Sequence, residues 1–237
     1  MFSARRLAAV VCPLLVLSAA ACTPGAAHQD AKPSSSNPAA LPTGGTDAGG
    51  LRLTDAISRL KVARESRSGY ERDKFHLWTD ADHDGCDTRK EVLLAEAVKK
   101  PRQGKSCKLT GGSWRSYYDD KTVTDARKLD IDHVVPLAEA WDSGASKWTP
   151  EHREQYANDL DGERSLVAVS LGPNRTKGDK DPAEWMPPAK DATCTYAADW
   201  VTAKLRWQLT ADRAEIKALR TTAADCKDAT VTVTPAP

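Results

Sequence analysis

The sequence predicts a single α+β domain that is cross-linked by two disulfides. Apolar residues recur at helical spacing in several segments and form short strand-like runs in others. The stretch from Leu51 to Cys226 has about 175 residues, a usual length for one domain with a buried core. We therefore divide the chain into an export signal over 1–21, a tether over 22–50, the domain over 51–228 and a disordered tail over 229–237.

The N-terminus has the layout of a bacterial export signal. Arg5 and Arg6 precede an apolar run over 7–17, and small residues follow up to Cys22. The run is shorter than the roughly 20 apolar residues that a membrane-spanning helix needs, and no later stretch reaches that length. Residues 19–22 resemble a lipobox, which predicts a lipid on Cys22. Plain secretion after cleavage further along the chain is the alternative.

The segment after the signal has the composition of a tether. Residues 23–50 are rich in Pro, Ser, Gly, Ala and Thr and almost lack bulky apolar side chains. Such a segment cannot bury enough surface to offset the entropy that it would lose on ordering.

Four cysteines remain once Cys12 leaves with the signal and Cys22 is lipidated or removed. Export leads to an oxidising compartment, where an even set of cysteines forms disulfides. Three pairings are possible, and short local loops favour one of them, in which each bond contributes about 2–4 kcal/mol. The favoured pairs are Cys86–Cys107 and Cys194–Cys226.

Periodicity and turn residues place the main helices and strands. A first amphipathic helix starts near Thr54, and a second runs from Thr88 until Pro101 ends it. Thr149 and Pro150 are typical of a helix start. The remaining predictions are a hairpin within 109–123, strands over 129–135 and 166–169, and a closing helix over 194–219.

The strongest chemical signal is a polar pair, Asp132 and His133, at the end of an apolar strand. The segment 129–136 reads Leu-Asp-Ile-Asp-His-Val-Val-Pro, and 174–178 reads Asn-Arg-Thr-Lys-Gly after a second short strand. A lone Asp-His pair is common in proteins. Its position at a strand end, next to a proline and followed by the second segment, is much more restrictive.

These two segments resemble the HNH endonucleases, in the form found in the nuclease domain of CRISPR effector proteins. They resemble more specifically an exported actinobacterial HNH family once catalogued as a domain of unknown function. The resemblance covers residues 51–226 and includes the segments 84–89, 138–141 and 182–185. It implies a ββα-metal core with surrounding helices, and a metal-dependent endonuclease.

The resemblance also implies a role for each residue of the motif. His133 takes the proton from the attacking water, while Asp132 and Asn174 ligate the metal. Phosphodiester hydrolysis needs a base that works near neutral pH and a cation that neutralises charge on the phosphate oxygens. Histidine suits the first task because its ordinary pKa is about 6.5. One carboxylate and one amide oxygen are hard ligands, which favours Mg²⁺ or Mn²⁺ over zinc.

Three further residues are candidates near this site. Arg175 and Lys177 are predicted to contact substrate phosphates, and solvated surface charges are the alternative. The HNH pattern has an Asn before the second strand that orients the histidine, whereas residues 162–165 here read Gly-Glu-Arg-Ser. Asn158 is the nearest candidate for this catalytic position. Capping of the preceding helix explains Asn158 equally well.

A second metal-like motif precedes the predicted second helix. The template of an EF-hand calcium loop is matched by Asp80, Asp82, Asp84, Gly85 and Glu91. The two residues after the glycine are unusual for such a loop, and the segment before it is a poor helix. The two interpretations are a structural Ca²⁺ site and an acidic turn that caps the next helix.

Charge is balanced over the mature chain, which has 32 basic and 33 acidic side chains once Arg5 and Arg6 are removed. Any binding of nucleic acid must therefore be local. Residues 97–118 contain six Lys or Arg and no acid, interleaved with Trp114, Tyr117 and Tyr118. Basic charge with stacking aromatics can follow a phosphate backbone without reading its sequence. Core positions are the alternative for the aromatics.

These observations predict an exported, monomeric endonuclease that cleaves DNA largely without sequence preference, with RNA as a further substrate. Membrane contact is expected only through a lipid on Cys22. The alternative is a non-catalytic, calcium-binding envelope lipoprotein with a nuclease-like fold. The intact set of Asp132, His133 and Asn174 favours the enzyme.

Overall fold

The computed structural model describes residues 50–237, and within them eight short strands pair into four antiparallel two-stranded sheets. The predicted export signal, the lipidation site Cys22 and nearly all of the predicted tether lie outside the described residues. The strands are β1 (Leu51–Arg52), β2 (Arg102–Gln103), β3 (Leu109–Thr110), β4 (Trp114–Ser116), β5 (Lys121–Val123), β6 (Leu129–His133), β7 (Leu166–Ser170) and β8 (Thr230–Val231).

Seven α-helices surround these sheets in the described part of the chain, joined by short 3₁₀ turns. None of them has the length and apolar character that crossing a membrane requires. The helices are α1 (Leu53–Ile57), α2 (Thr88–Ala95), α3 (Leu137–Asp142), α4 (Pro150–Ala157), α5 (Leu171–Lys177), α6 (Thr193–Arg206) and α7 (Arg213–Asp225).

The β6–β7 pair lies at the centre of the fold, between two apolar clusters. Successive side chains of a strand point to opposite faces. On one face Leu129 and Ile131 pack with Trp114 and α2, and on the other Val167 and Val169 join the larger core with α6 and α7. β7 reads Leu-Val-Ala-Val-Ser, the continuous apolar run expected for a strand buried on both faces.

Short polar signals determine where two of the helices begin. The Thr149 hydroxyl accepts a hydrogen bond from the His152 backbone N–H, and Pro150 occupies the first turn of α4, which confirms the predicted start. The Asp87 carboxylate accepts from the Lys90 N–H in the same way and begins α2. The hairpin predicted within 109–123 is also confirmed, as β4–β5 over 114–123.

The predicted closing helix over 194–219 is wrong in its continuity. The chain forms two helices, α6 and α7, with a turn over 207–212 between them. Gln208 lies in the left-handed region with φ 53°, which a right-handed helix cannot continue through. Trp207 and Leu209 are buried on either side of it and anchor the turn in the core.

The predicted disordered tail over 229–237 is also wrong. β8 pairs with β1, and Val231 is only 2% exposed. The backbone of Ala236 donates to the carbonyl of Arg206, whose guanidinium in turn donates to the Thr234 carbonyl at 2.7 Å. The alternating Thr-Val-Thr-Val-Thr over 230–234 is the strand signal that the low-complexity ending obscured.

Both predicted disulfides are confirmed. The Cα atoms are 5.0 Å apart in Cys86–Cys107 and 5.5 Å apart in Cys194–Cys226. The first bond ties the acidic loop before α2 to the turn between β2 and β3. The second ties the start of α6 to the end of α7, so the two C-terminal helices are held together covalently.

A cluster of buried charges joins α3, α6 and α7. The Lys204 ammonium lies 2.6 Å from a Glu139 oxygen, 2.8 Å from a Glu215 oxygen and 3.8 Å from a Glu65 oxygen. Three carboxyl groups therefore share one cation away from water. Desolvation raises the pKa of Glu139 to about 9 and that of Glu65 to about 7, since the Lys204 charge offsets only part of the burial.

We expect Glu139→Gln to flatten the pH dependence of stability. Native Glu139 keeps a proton that the unfolded chain releases near pH 4.5, because its folded pKa is raised to about 9. Its contribution to the free energy of unfolding is therefore fully present below pH 4.5 and is lost as the pH rises toward 9. Gln resembles the protonated acid and has no proton to lose, so its contribution does not change with pH.

Urea unfolding of both proteins at about pH 5, 7 and 9 measures this difference. The variant should gain stability relative to the native chain as the pH rises. Glu184→Gln, at an exposed acid, is the control and should run parallel to the native chain. Parallel curves for Glu139→Gln as well would show that Glu139 is ionised in the folded state.

Candidate functional site

The candidate site forms where α5 packs against β6. Asp130 and Asp132 are two residues apart on one face of the strand, and Asn174 and Lys177 are three apart on the helix, so each helix residue meets one carboxylate. The Asn174 amide nitrogen donates to Asp130 at 3.2 Å. The Lys177 ammonium donates to Asp132 at 2.7 Å and to the His133 carbonyl at 2.9 Å.

Asp132 is held through one of its two oxygens. Its Oδ2 accepts from the Tyr118 hydroxyl at 2.5 Å and from Lys177 at 2.7 Å, and the side chain is 7% exposed. Burial raises the pKa of Asp132 and lowers the pKa of Lys177, and their ion pair opposes both shifts. Because both contacts use Oδ2, Oδ1 is the oxygen left for another ligand.

His133 is oriented by a backbone carbonyl. Its Nε2 lies 2.9 Å from the oxygen of Ala157, the last residue of α4, and its ring packs between those of Trp78 and Tyr156. A hydrogen bond to a carbonyl requires a proton on Nε2, so Nδ1 carries the lone pair of the neutral ring. Burial lowers the pKa of His133 to about 4, and the imidazole is therefore neutral at neutral pH.

The Asn158 side chain lies near His133 in the chain fold but forms its hydrogen bonds with other residues. Its side-chain oxygen accepts from the Thr79 N–H at 3.1 Å and the Thr88 hydroxyl at 2.8 Å, and its amide nitrogen donates to the carbonyls of His76 and Glu154. Among the hydrogen bonds of residues 50–237, none joins the Asn158 side chain to the imidazole. Asn158 is the C-cap of α4, and the carbonyl that precedes it, that of Ala157, is the one that contacts His133.

The two basic residues after Asn174 differ from each other in position. Arg175 is exposed, as a phosphate contact requires. Lys177 is 0% exposed, and its ammonium already has two partners. This position contradicts the predicted phosphate contact of Lys177. The physical reason is the helix phase: a helix that begins at Leu171 turns Arg175 to solvent and Lys177 onto β6.

The acidic loop before α2 brings its carboxylates together. Oxygens of Asp80, Asp82 and Asp84 lie within 4.8 Å of one another, and Asp84 and Glu91 approach equally closely. Gly85 has φ 92° and donates its N–H to Asp80 at 3.0 Å. The second oxygen of Asp80 is shielded from solvent and has no hydrogen-bond partner in the described part of the chain.

The predicted nucleic-acid groove over 97–118 stays a prediction for its charges and is corrected for its aromatics. All six of its basic side chains are exposed. Trp114 and Tyr118 are fully buried, and the half-buried Tyr117 donates its hydroxyl to Asp199. These rings are core residues and cannot stack on bases, because the β4–β5 hairpin turns them toward the two apolar clusters.

Three residues of the site were missed by the motif. Asp130 lies two residues before Asp132 in the same strand, so the period of two would have identified it as a neighbour on the same face. Tyr118 and Trp78 come from distant segments. No sequence signal marks them as members of this site. They reach β6 only through the packing of the turn after β4 and of the loop before Asp80.

Known proteins resemble this chain over most of its length. Residues 86–222 match the family model described as GmrSD restriction endonucleases, C-terminal domain. A protein of Arthroderma benhamiae described as an uncharacterized secreted protein is 40% identical over 183 residues, which covers 77% of this chain and 88% of that protein. No solved structure matches the chain. The actinobacterial origin and the lipobox of the sequence analysis remain predictions. The family match spans more than half of the chain, which therefore belongs to the family of GmrSD restriction endonuclease C-terminal domains.

Proposed function

We propose that the protein is an exported, metal-dependent endonuclease of the HNH type that hydrolyses phosphodiester bonds of DNA, and of RNA as a further substrate. The observation that carries this proposal is the order β6–β7–α5. It places Asp132 and His133 at one strand end and lays the helix that bears Asn174 against the same strand. Membership of a family described as restriction endonucleases supports the same chemistry.

A divalent metal fits the oxygens that the site leaves free. Asp132 is held through Oδ2 and Asn174 through its amide nitrogen, so the Oδ1 atoms of both residues would hold Mg²⁺ or Mn²⁺. The metal would supply neutralisation of charge on the phosphate. Tyr118 and Lys177 act as positioning residues, because their contacts to Oδ2 set the direction of Oδ1.

His133 is proposed as the general base. Its neutral ring offers the Nδ1 lone pair to a water proton, and the Ala157 carbonyl fixes the ring through Nε2. Once Nδ1 is protonated, the same carbonyl stabilises the imidazolium. Arg175 is proposed as a substrate contact because it is exposed one residue after Asn174. The basic segment 99–108 is proposed to follow the phosphate backbone.

Export is supported by the two disulfides and by the secreted relative. Lipidation of Cys22 and a monomeric state are further parts of the proposal. Peptide mass mapping of protein from its native host would test the lipid, because a lipidated Cys22 would be the mature N-terminus.

Replacing His133 by Gln should remove cleavage and keep the fold. Gln is chosen over Ala because His133 is only 5% exposed, so truncation to Ala would leave a cavity. Gln fills more of this space and can still donate to the Ala157 carbonyl, yet it cannot accept the water proton. We expect a fall in plasmid cleavage of about 10²–10⁴-fold in Mg²⁺.

Asp132→Asn and EDTA should each remove cleavage as well, and added Mg²⁺ or Mn²⁺ should restore it after EDTA. Thermal melts of the variants serve as the control for folding. Native rates in a folded His133→Gln protein, or native rates in EDTA, would falsify the mechanism.

Lys177→Met should lower stability, whereas Arg175→Ala should lower the affinity for DNA. Removing Lys177 leaves the Asp132 charge buried without its partner, so we expect a loss of about 3–5 kcal/mol in the free energy of unfolding. Arg175→Ala should leave stability unchanged and weaken DNA binding. Urea unfolding and binding titrations measure the two effects. A Lys177→Met protein that unfolds like the native chain but binds DNA poorly would restore the phosphate contact predicted from sequence.

We also propose that the acidic loop over 80–91 binds Ca²⁺. A buried carboxylate oxygen without a partner is unfavourable, and Asp80 in this loop has one. Crowding of carboxylates adds to the strain: burial first, and then repulsion by Asp84 and Asp82, raises the pKa of Glu91. A calcium ion would relieve both effects.

Added Ca²⁺ should raise the melting temperature of the native chain and of Asp132→Ala. At about 100 times Kd the expected gain is about 2.7 kcal/mol, which is several degrees for a domain of this size. The double variant Asp82→Ala/Glu91→Ala should not respond. Glu184→Ala/Asp191→Ala removes two exposed acids elsewhere and should respond like the native chain. If Ca²⁺ leaves the melting temperature of the native chain unchanged, the loop is an acidic turn and not a calcium site. The nuclease proposal would be unaffected.

A further inference from the structure

A second basic surface lies on α7 and on the segment that follows α1. We call it the α7 basic face. All six of its basic side chains are exposed. The two segments adjoin, because the Ala63 N–H donates to the Ala211 carbonyl at 3.0 Å and the Ala211 N–H donates to the Lys61 carbonyl at 2.9 Å. The members of the face are Arg59, Lys61, Arg64, Arg213, Lys217 and Arg220.

The three α7 members point the same way. Arg213, Lys217 and Arg220 are spaced by four and three residues, so they share one side of the helix over about 10 Å of its axis. They surround a shallow depression of about 650 Å³ whose floor includes Val62 and Ile216. No acidic residue lines this depression.

These charges are not neutralised by neighbouring acids. Within residues 50–237 none of the six takes part in a salt bridge. Three nearby acids are already engaged: Glu65 and Glu215 lie with the buried Lys204, and Asp212 caps α7 by accepting from the Glu215 N–H. A fourth, Asp55, is exposed four residues before Arg59. On a chain with nearly balanced charge, this concentration indicates a polyanionic partner.

We propose that the α7 basic face binds the phosphate backbone of nucleic acid, at a place distinct from the Asp132–His133 site. The inference rests on the proposed nuclease function. A nucleic-acid backbone fits better than an anionic lipid surface, because a helix that lies in a membrane needs an exposed apolar face. The large apolar residues of α7, Ile216 and Leu219, are buried, and only Val62 is exposed among those nearby, at 56%.

The α7 basic face would then raise the affinity for nucleic acid and take no part in the cleavage reaction. No element of the face contributes a side chain to the contacts of Asp132, Asn174 or His133 described above. Loss of the face should therefore raise KM on long DNA and leave kcat unchanged. Each phosphate contact also releases counterions, so the face should contribute to the salt dependence of binding.

The test compares two charge-reversed proteins with the native chain. Lys217→Glu/Arg220→Glu removes the centre of the α7 basic face. Lys147→Glu/Lys227→Glu makes the same change in net charge at exposed lysines elsewhere. Binding of a labelled duplex of about 30 base pairs is measured in EDTA between about 50 and 200 mM salt. Cleavage of plasmid in Mg²⁺ is measured separately.

We expect the face variant to bind at least about tenfold more weakly at low salt, with a log K against log salt slope smaller in magnitude by about 2. The control should keep the native slope. Lys217→Gln/Arg220→Gln provides a milder change if the reversal impairs folding, and it should shift the slope in the same direction.

Equal effects of the face and control variants would overturn the inference, because net charge alone would then explain them. Loss of binding to phosphatidylglycerol vesicles with unchanged DNA binding would overturn it in favour of a lipid surface. In both cases native cleavage of plasmid would leave the nuclease proposal standing. A native chain that neither binds nor cleaves DNA would remove the nuclease proposal itself.

Discussion

The β6–β7 pair is the constraint on which the candidate site depends. Both strands are buried on both faces, so the alternation of side chains cannot slip by a residue without exposing one apolar cluster and burying polar groups in the other. This register places Asp132 toward α5 and leaves His133 at the strand end toward α4 and Trp78. The proposed metal ligands and the proposed base are thus supplied by one strand but supported by different layers. The residues that contact Asp132, which are Tyr118 and Lys177, are different from those that contact His133, which include Ala157 and Trp78.

Buried charge is the second theme of the fold. Lys177 with Asp132 and Lys204 with Glu215 are ion pairs whose members have lost nearly all contact with water, and Lys204 also contacts the protonated Glu139. Such pairs add little net stability, because the free energy of desolvation offsets most of the attraction, but removing one partner is strongly destabilising. They serve instead to fix geometry. Lys177 holds one oxygen of Asp132, and Lys204 ties α3, which follows directly after the motif, to the two C-terminal helices.

The sequence predicted what is encoded locally. The caps of α2 and α4, the β4–β5 hairpin and the disulfide pairing all depend on residues close together along the chain. The wrong predictions concern residues whose positions depend on tertiary packing. Lys177 was assigned to solvent because nothing in its segment shows where α5 begins. The start at Leu171 turns its side chain onto β6. Trp114 and Tyr118 have the composition of a stacking surface, yet the same rings fill a core as readily. The tail is ordered because β1 pairs with Thr230 and Val231 and because Arg206 donates to the carbonyls of Thr234 and Pro235.

Asn158 connects the two proposed metal sites. The oxygen of its side-chain amide accepts from Thr79 and Thr88, which lie at the two ends of the acidic loop. The nitrogen of the same amide donates to the carbonyls of His76 and of Glu154 in α4. With four contacts made, the amide has little freedom to turn independently of any one of them. The next carbonyl toward the N-terminus, that of Ala157, is the one that holds the imidazole of His133. The Asn of the HNH pattern would orient the histidine directly, whereas here the backbone carbonyl of Ala157 is the group that contacts the imidazole. Asn158 lies at the end of α4, where its side chain reaches the acidic loop and not the ring.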